Sequence, residues 1–348
     1  MSSARSDTDG KGDGMPAKLR KEFEGQLIAQ AEMLKLDVES ALQYEEKAYK
    51  KWLAERRLRN RVDVAVKVEQ KGPAFEMGAV GYMAKAMVQA TLPHQAVKGN
   101  EFTRVNGNYR LTLQSPSHIG LPYGALPRLI LAWVTSEAVK TGKRELELGD
   151  SMAAFMRELG IWDSTGGKNG SITRLKTQAR RLFASTITAS YDCHGGSDDI
   201  GYKVADRTML WWNTQNPNQA GLWKSTVTLS EPFFNEITTK PIPIDLRVLQ
   251  QLKNSPLAID IYMMLTHRYS YLTKPVTIPW HSLSWQLGAD YKEIRKFRTA
   301  FVKALKRVQI AYKDASAFVL DDHEGLLLMP SLPSVKKTKE RKLSQKDL

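Results

Sequence analysis

Apolar side chains recur at every third or fourth position in two stretches of the chain, as Ile172, Leu175, Ala179, Leu182 and Phe183 and again as Ile294, Phe297, Phe301, Leu305 and Val308. Polar and cationic residues fill the positions between them, the period of a helix with one face in a core and the other outside it. The spacing predicts helices over 172–184 and 291–308. Each is preceded by the same succession: a short alternating run (145–148, 275–279), a shorter helical run (152–159, 280–287) and a Leu-Gly pair (Leu159-Gly160, Leu287-Gly288). Asp150 or Ser151 stands where a side chain caps the first of these short helices, and Ser171 where one caps the following helix. Gly160 holds the position at which a left-handed residue closes a helix. A longer apolar helix opens each unit, over 126–140 with Pro127 in its first turn, and over 255–272.

Between and beyond the helices, alternating runs predict strands. Runs at 102–105 and 109–113 flank Asn106-Gly107-Asn108, a turn signal, so a hairpin is expected beside the first unit. Strands at 186–191, 203–212 and 222–229, separated by turn-rich 194–201 and 213–221, are expected as its wing. Strands at 309–313, 317–321 and 325–329 complete the second. The fold expected is α+β: tandem winged-helix domains preceded by a helical N-terminal segment. The boundaries are a disordered leader over 1–16, the helical segment over 17–82, a first winged-helix domain with added hairpin over 83–235, a second over 236–330, and a basic disordered tail over 331–348. The helical segment ends in a run, Lys47 to Arg61, that interleaves cations with Tyr49 and Trp52 and suits phosphate contact or a partner helix, with a solvated helix face explaining it nearly as well.

Charge changes the picture from fold to partner. Lys and Arg number 51 against 37 Asp and Glu, a net charge of +14. Cations in such excess repel one another unless a polyanion neutralises them, which points to nucleic acid. In a helix-turn-helix the second helix enters the major groove, its apolar stripe held by the core. Arg pairs with guanine and Gln with adenine through two hydrogen bonds, so Arg174, Gln178 and Arg181 are the candidate base readers, with Lys176, Thr177 and Arg180 beside them. The second helix offers Lys292, Lys296, Thr299, Lys303 and Arg307, mostly point charges suited to phosphates. Lys203 and Arg207 in the first wing and Lys313 in the second are candidates for backbone or minor-groove contact, or for a solvated strand edge.

Other chemistries find little. The chain has no G-x-x-x-x-G-K-[ST] loop for a nucleotide triphosphate. Its six histidines, His94, His118, His194, His267, His281 and His323, form no H-x-H or H-E-x-x-H pair, so neither a metal site nor metal-dependent nicking is expected. Asp198-Asp199 and Asp321-Asp322 read as turn formers. The one cysteine, Cys193, excludes an intramolecular disulfide and fits a reducing cytoplasm. An N-terminal apolar targeting run and an 18-residue apolar stretch are both missing, so no membrane partner is expected. The reading is a binding protein without cofactor, not an enzyme.

Several motifs occur in order along the chain: Met87 to His94 (MVQATLPH), Asn106-Gly107, Gly120 to Gly124 (GLPYG), Pro127-Arg128, Thr135 to Ala138 (TSEA), Leu148-Gly149, Phe155 to Gly160 (FMRELG) and Thr165-Gly166-Gly167. Over roughly residues 84–329 these resemble the plasmid-encoded RepA replication proteins of Gram-negative bacteria. The resemblance implies an initiator that binds repeated origin sequences on double-stranded DNA and helps to open the duplex. It also implies recruitment of the host helicase, helicase loader and host initiator, and two states, a homodimer that represses its own gene and a monomer that starts replication. The alternative of similar architecture is a sequence-specific transcriptional regulator.

Overall fold

The computed structural model of the chain describes residues 79–162, 165, 167, 170–193, 196–212, 224–288, 291, 293–320 and 325–335. The leader, residues 17–78 of the helical segment, residues 336–348 of the tail and the candidate Lys292 lie outside the described residues.

The elements run in the order β1 (Val80–Met83), α1 (Lys85–Gln89), β2 (Glu101–Asn106), β3 (Tyr109–Gln114), α2 (Ala125–Thr141), β4 (Glu145–Glu147), α3 (Met152–Glu158), α4 (Ser171–Phe183), β5 (Thr186–Cys193), β6 (Gly196–Lys203), β7 (Ala205–Met209) and β8 (Thr226–Leu229). They continue as α5 (Glu231–Thr239), β9 (Ile242–Asp245), α6 (Leu246–Leu252), α7 (Pro256–Tyr269), β10 (Val276–Pro279), α8 (Trp280–Leu287), α9 (Ile294–Ala311), β11 (Ala317–Val319) and β12 (Gly325–Leu328). Helices and antiparallel sheets alternate in an α+β arrangement. The described end of the segment over 17–82 is strand, not helix. β1 pairs with β9, Val80 opposite Asp245 and Met83 opposite Ile242. Gly81 permits the approach, because a Cβ there would lie 2.4 Å from Leu246 and 2.9 Å from the Ser136 hydroxyl.

Two three-stranded sheets share one strand order. β4 pairs with β8, which pairs with β7; β10 pairs with β12, which pairs with β11. In each, the strand before the short helix lies against the last strand of the unit, Glu145 opposite Thr228 in one and Val276 opposite Leu328 in the other.

The strand assignments change at two places. β5 and β6 leave the wing and extend the β2–β3 hairpin into a sheet of order β2-β3-β5-β6. Leu113 stands opposite Ile187 and Ile187 opposite Tyr202, and all three are buried. This cross-strand burial outweighs the turn propensity of Gly196 to Gly201 and makes it a strand. The hairpin also packs on α8 of the second unit, where Arg104 donates to the Gly288 carbonyl. The second change is at 309–313, where α9 runs on to Ala311. Its buried stripe of Phe301, Ala304, Leu305, Val308 and Ala311 keeps the helical period throughout.

The two units share their interior. Gln286 donates to the Val88 carbonyl at 3.1 Å and accepts, through its backbone carbonyl, from Thr91. The position between residues 235 and 236 lies inside α5, which is capped by the Ser230 hydroxyl and carries buried Phe233 and Ile237. Residues 331–335 of the expected tail are packed, not loose: the Tyr312 hydroxyl donates to the Leu332 carbonyl, and the hydroxyls of Tyr262 and Ser334 lie 2.8 Å apart. Among the described residues no helix is long and apolar enough to cross a membrane.

Candidate nucleic-acid interface

α4 buries the stripe its spacing predicts, Ile172, Leu175, Ala179, Leu182 and Phe183. Gly170 is the residue before the helix, and the Ser171 hydroxyl accepts from Thr165 N–H at 2.9 Å instead of capping it. Arg174, Thr177 and Arg180 are exposed and Lys176 is half-buried. Gln178 and Arg181 are employed inside the protein. Gln178 is buried, its Oε1 accepting from Tyr123 N–H at 2.9 Å. Arg181 donates from Nε to the Ile119 carbonyl at 3.1 Å and lies 5.4 Å from the centre of the Tyr123 ring. Together they fix the turn that enters α2. Gln178 follows Leu175 by three positions and precedes Leu182 by four, so it falls on the core stripe.

On α9 the exposed residues are Arg295, Lys296, Thr299, Lys303 and Lys306, with Arg307 half-buried. Lys296 pairs with Glu293 at 2.6 Å, and the Thr299 hydroxyl donates back to the Arg295 carbonyl at 3.1 Å. Ile294 is 39% exposed, so the buried stripe starts at Phe297. The helix is seated by Trp280 of α8, which meets Phe301 edge-on at 5.4 Å. Arg295 and Lys306 were absent from the candidates, although Arg295 precedes Thr299 by four positions and so shares its line on the helix. A row Arg295, Thr299, Lys303 presents cations and a hydroxyl along one face, a surface suited to phosphates.

The Leu-Gly turns that end α3 and α8 differ in conformation but not in use. Gly160 has φ +72°, which glycine adopts without strain, while Gly288 sits at φ −72°. Each carbonyl accepts from a cation of another element, Gly160 from Lys253 Nζ and Gly288 from Arg104. The C-terminal end of a helix is its negative pole, which favours both contacts.

Behind α4 lies a buried cluster that joins the two units. Arg128 of α2 grips Asp260 of α7 through Nε and Nη2 at 2.6 and 2.7 Å, and donates to the carbonyls of Leu92 and Gly124, each at 2.7 Å. His94 Nε2 lies 2.6 Å from the same carboxylate. Burial alone would raise the Asp260 pKa; the Arg128 charge and the hydrogen bonds from His94 and Arg128 outweigh it and hold the carboxyl below its usual range. Burial pushes the His94 pKa down despite the hydrogen bond and charge of Asp260. A neutral His94 thus donates its Nε2–H to the ionised carboxylate. Leu92, His94, Gly124 and Arg128 all belong to the motifs that carried the resemblance.

Between α4 and the corner that joins α6 to α7 the surface forms a cleft of about 660 Å³. Arg174, Thr177 and Arg181 face it from α4, Lys253, Asn254 and Pro256 from the corner, and His94 and Tyr123 from its floor. Part of the expected base-reading face of α4 therefore looks onto this cleft. Lys253 and Asn254 had no signal in the sequence, because only the tertiary fold brings their corner opposite α4.

Residues 121–286 match the family model described as plasmid encoded RepA protein. This segment, just under half of the chain, is similar to the plasmid-encoded RepA family. The RepA segment begins in the turn held by Gln178 and Arg181, takes in α4, Arg128 and Asp260, and ends within α8, just before α9. A comparison with curated proteins finds no match. Among solved structures the chain is similar to a crystal structure of selenomethionine derivatives of domains 2 and 3 of RctB, with 11% identity, a TM-score of 0.47, and 73% of this chain and 97% of that chain covered.

Proposed function

We propose that the chain is a plasmid replication initiator that binds repeated origin sequences in duplex DNA through two winged-helix modules. The first comprises β4, α3, α4, β7 and β8, the second β10, α8, α9, β11 and β12. The observation that carries this reading is the repeated strand order, β4-β8-β7 and β10-β12-β11, each sheet supporting a short helix followed by a long cationic one. In that architecture the long helix meets the groove and the hairpin flanks it. α9 presents Arg295, Lys296, Thr299, Lys303 and Lys306; α4 presents Arg174, Thr177 and Arg180 with Lys176 beside them. Arg307 belongs to the same cationic surface in this reading, and Lys292 stays a proposed phosphate contact from its sequence alone. The net charge of +14 supplies the long-range attraction to the duplex.

The RepA segment favours initiation over gene regulation. Binding strains the duplex and makes an adjacent segment easier to open. Host helicase, helicase loader and host initiator then supply ATP-driven unwinding, and a cytoplasmic homodimer represses the gene. The test supplies the protein in trans to a plasmid that bears only its origin. Maintenance of that plasmid is the expected result. Footprinted origin repeats without maintenance in any host of the parent plasmid would overturn initiation and leave a regulator.

A further inference from the structure

We propose that the cleft between α4 and the α6–α7 corner is a binding site for a phosphate-bearing ligand. Three cations line it, Arg174, Arg181 and Lys253, together with Thr177 and Asn254, and none of the described residues lining it is acidic. The Asp260 carboxylate, which His94 contacts from the cleft, is already matched by Arg128. The cations keep donors to spare. Lys253 spends one of three on the Gly160 carbonyl, and Arg181 directs its guanidinium to the Ile119 and Leu121 carbonyls with further N–H groups left. Among the described residues Arg174 makes no side-chain hydrogen bond, so its whole fork is available to bind two phosphate oxygens. A volume of about 660 Å³ is that of a small-ligand site. It takes a free phosphate compound or one stretch of nucleic-acid backbone, and the same donors serve either source.

Titration calorimetry of the full chain with inorganic pyrophosphate at low salt tests the site. The expected result is saturable binding at one site, weakened about tenfold or more by Arg174→Gln and by Asn254→Asp, and left within about twofold by Lys98→Gln, an exposed cation before β2 that does not line the cleft. Absence of saturation, or an equal loss in Lys98→Gln, would overturn the proposal and indicate diffuse attraction to the cationic surface. A labelled duplex then separates the sources. If pyrophosphate displaces the duplex in proportion to its occupancy, the site takes backbone phosphate; if duplex affinity is unchanged with the site filled, the ligand is a free phosphate compound. The titration contains no DNA, so its failure and the failure of the initiator reading are separate results.

Discussion

Asp260 lies fully buried against Arg128 and His94, so removing its carboxylate strands a charged guanidinium in the interior. Losing one partner of such a pair typically costs about 3–5 kcal/mol, and Asp260→Ala is expected to lower the urea-unfolding free energy by that amount. Solvent denaturation at pH 7 measures it. The same cluster sets a pH dependence. Both Asp260 and His94 have folded-state pKa values below their unfolded ones, so the native state binds fewer protons than the unfolded chain. Their stabilisation is complete above the unfolded values and drains away as pH falls. For His94 the loss begins near its ordinary value of 6.5 and proceeds downward. Urea midpoints should therefore drop as pH is lowered from 7 to 5, and His94→Gln should flatten that drop; an unchanged pH profile in the variant would remove His94 from the account.

Element α4 keeps its expected helix while two of its expected surface residues, Gln178 and Arg181, turn to internal partners. Its apolar stripe was legible because Ile172, Leu175, Ala179 and Leu182 keep the helical period. Gln178 lies on that stripe, and a polar side chain there needs an internal partner, which Tyr123 N–H provides. That partner comes from a turn 55 residues away, beyond the reach of spacing. Arg181→Ala is thus expected to destabilise the fold by about 1–2 kcal/mol through its lost carbonyl contacts, leaving the ratio of cognate to random duplex affinity within about twofold. Thermal unfolding and paired binding titrations check both parts, and a selective loss of cognate binding would return Arg181 to base reading. Elsewhere local pattern prevailed. The hairpin at Asn106-Gly107 and the two Leu-Gly turns follow from turn chemistry, whereas the transfer of β5 and β6 to the β2–β3 sheet depended on long-range pairing between Leu113, Ile187 and Tyr202. The helix-to-strand change at 80–83 likewise came from a distant partner, β9.

At the scale of the molecule, two units of one strand order share a buried cluster and place two cationic helices on the surface. If both helices hold duplex DNA, each should release its own counterions on binding. Arg180 of α4 and Lys303 of α9 are exposed, so their replacement leaves the core untouched. The decisive measurement is the slope of log affinity against log salt for a fixed duplex, by fluorescence anisotropy, in the parent chain, Arg180→Ala, Lys303→Ala and the double variant. Each single replacement is predicted to reduce the magnitude of the slope by about one and the pair by about two, because separate contacts add. A slope that neither replacement changes would contradict DNA binding through these two helices.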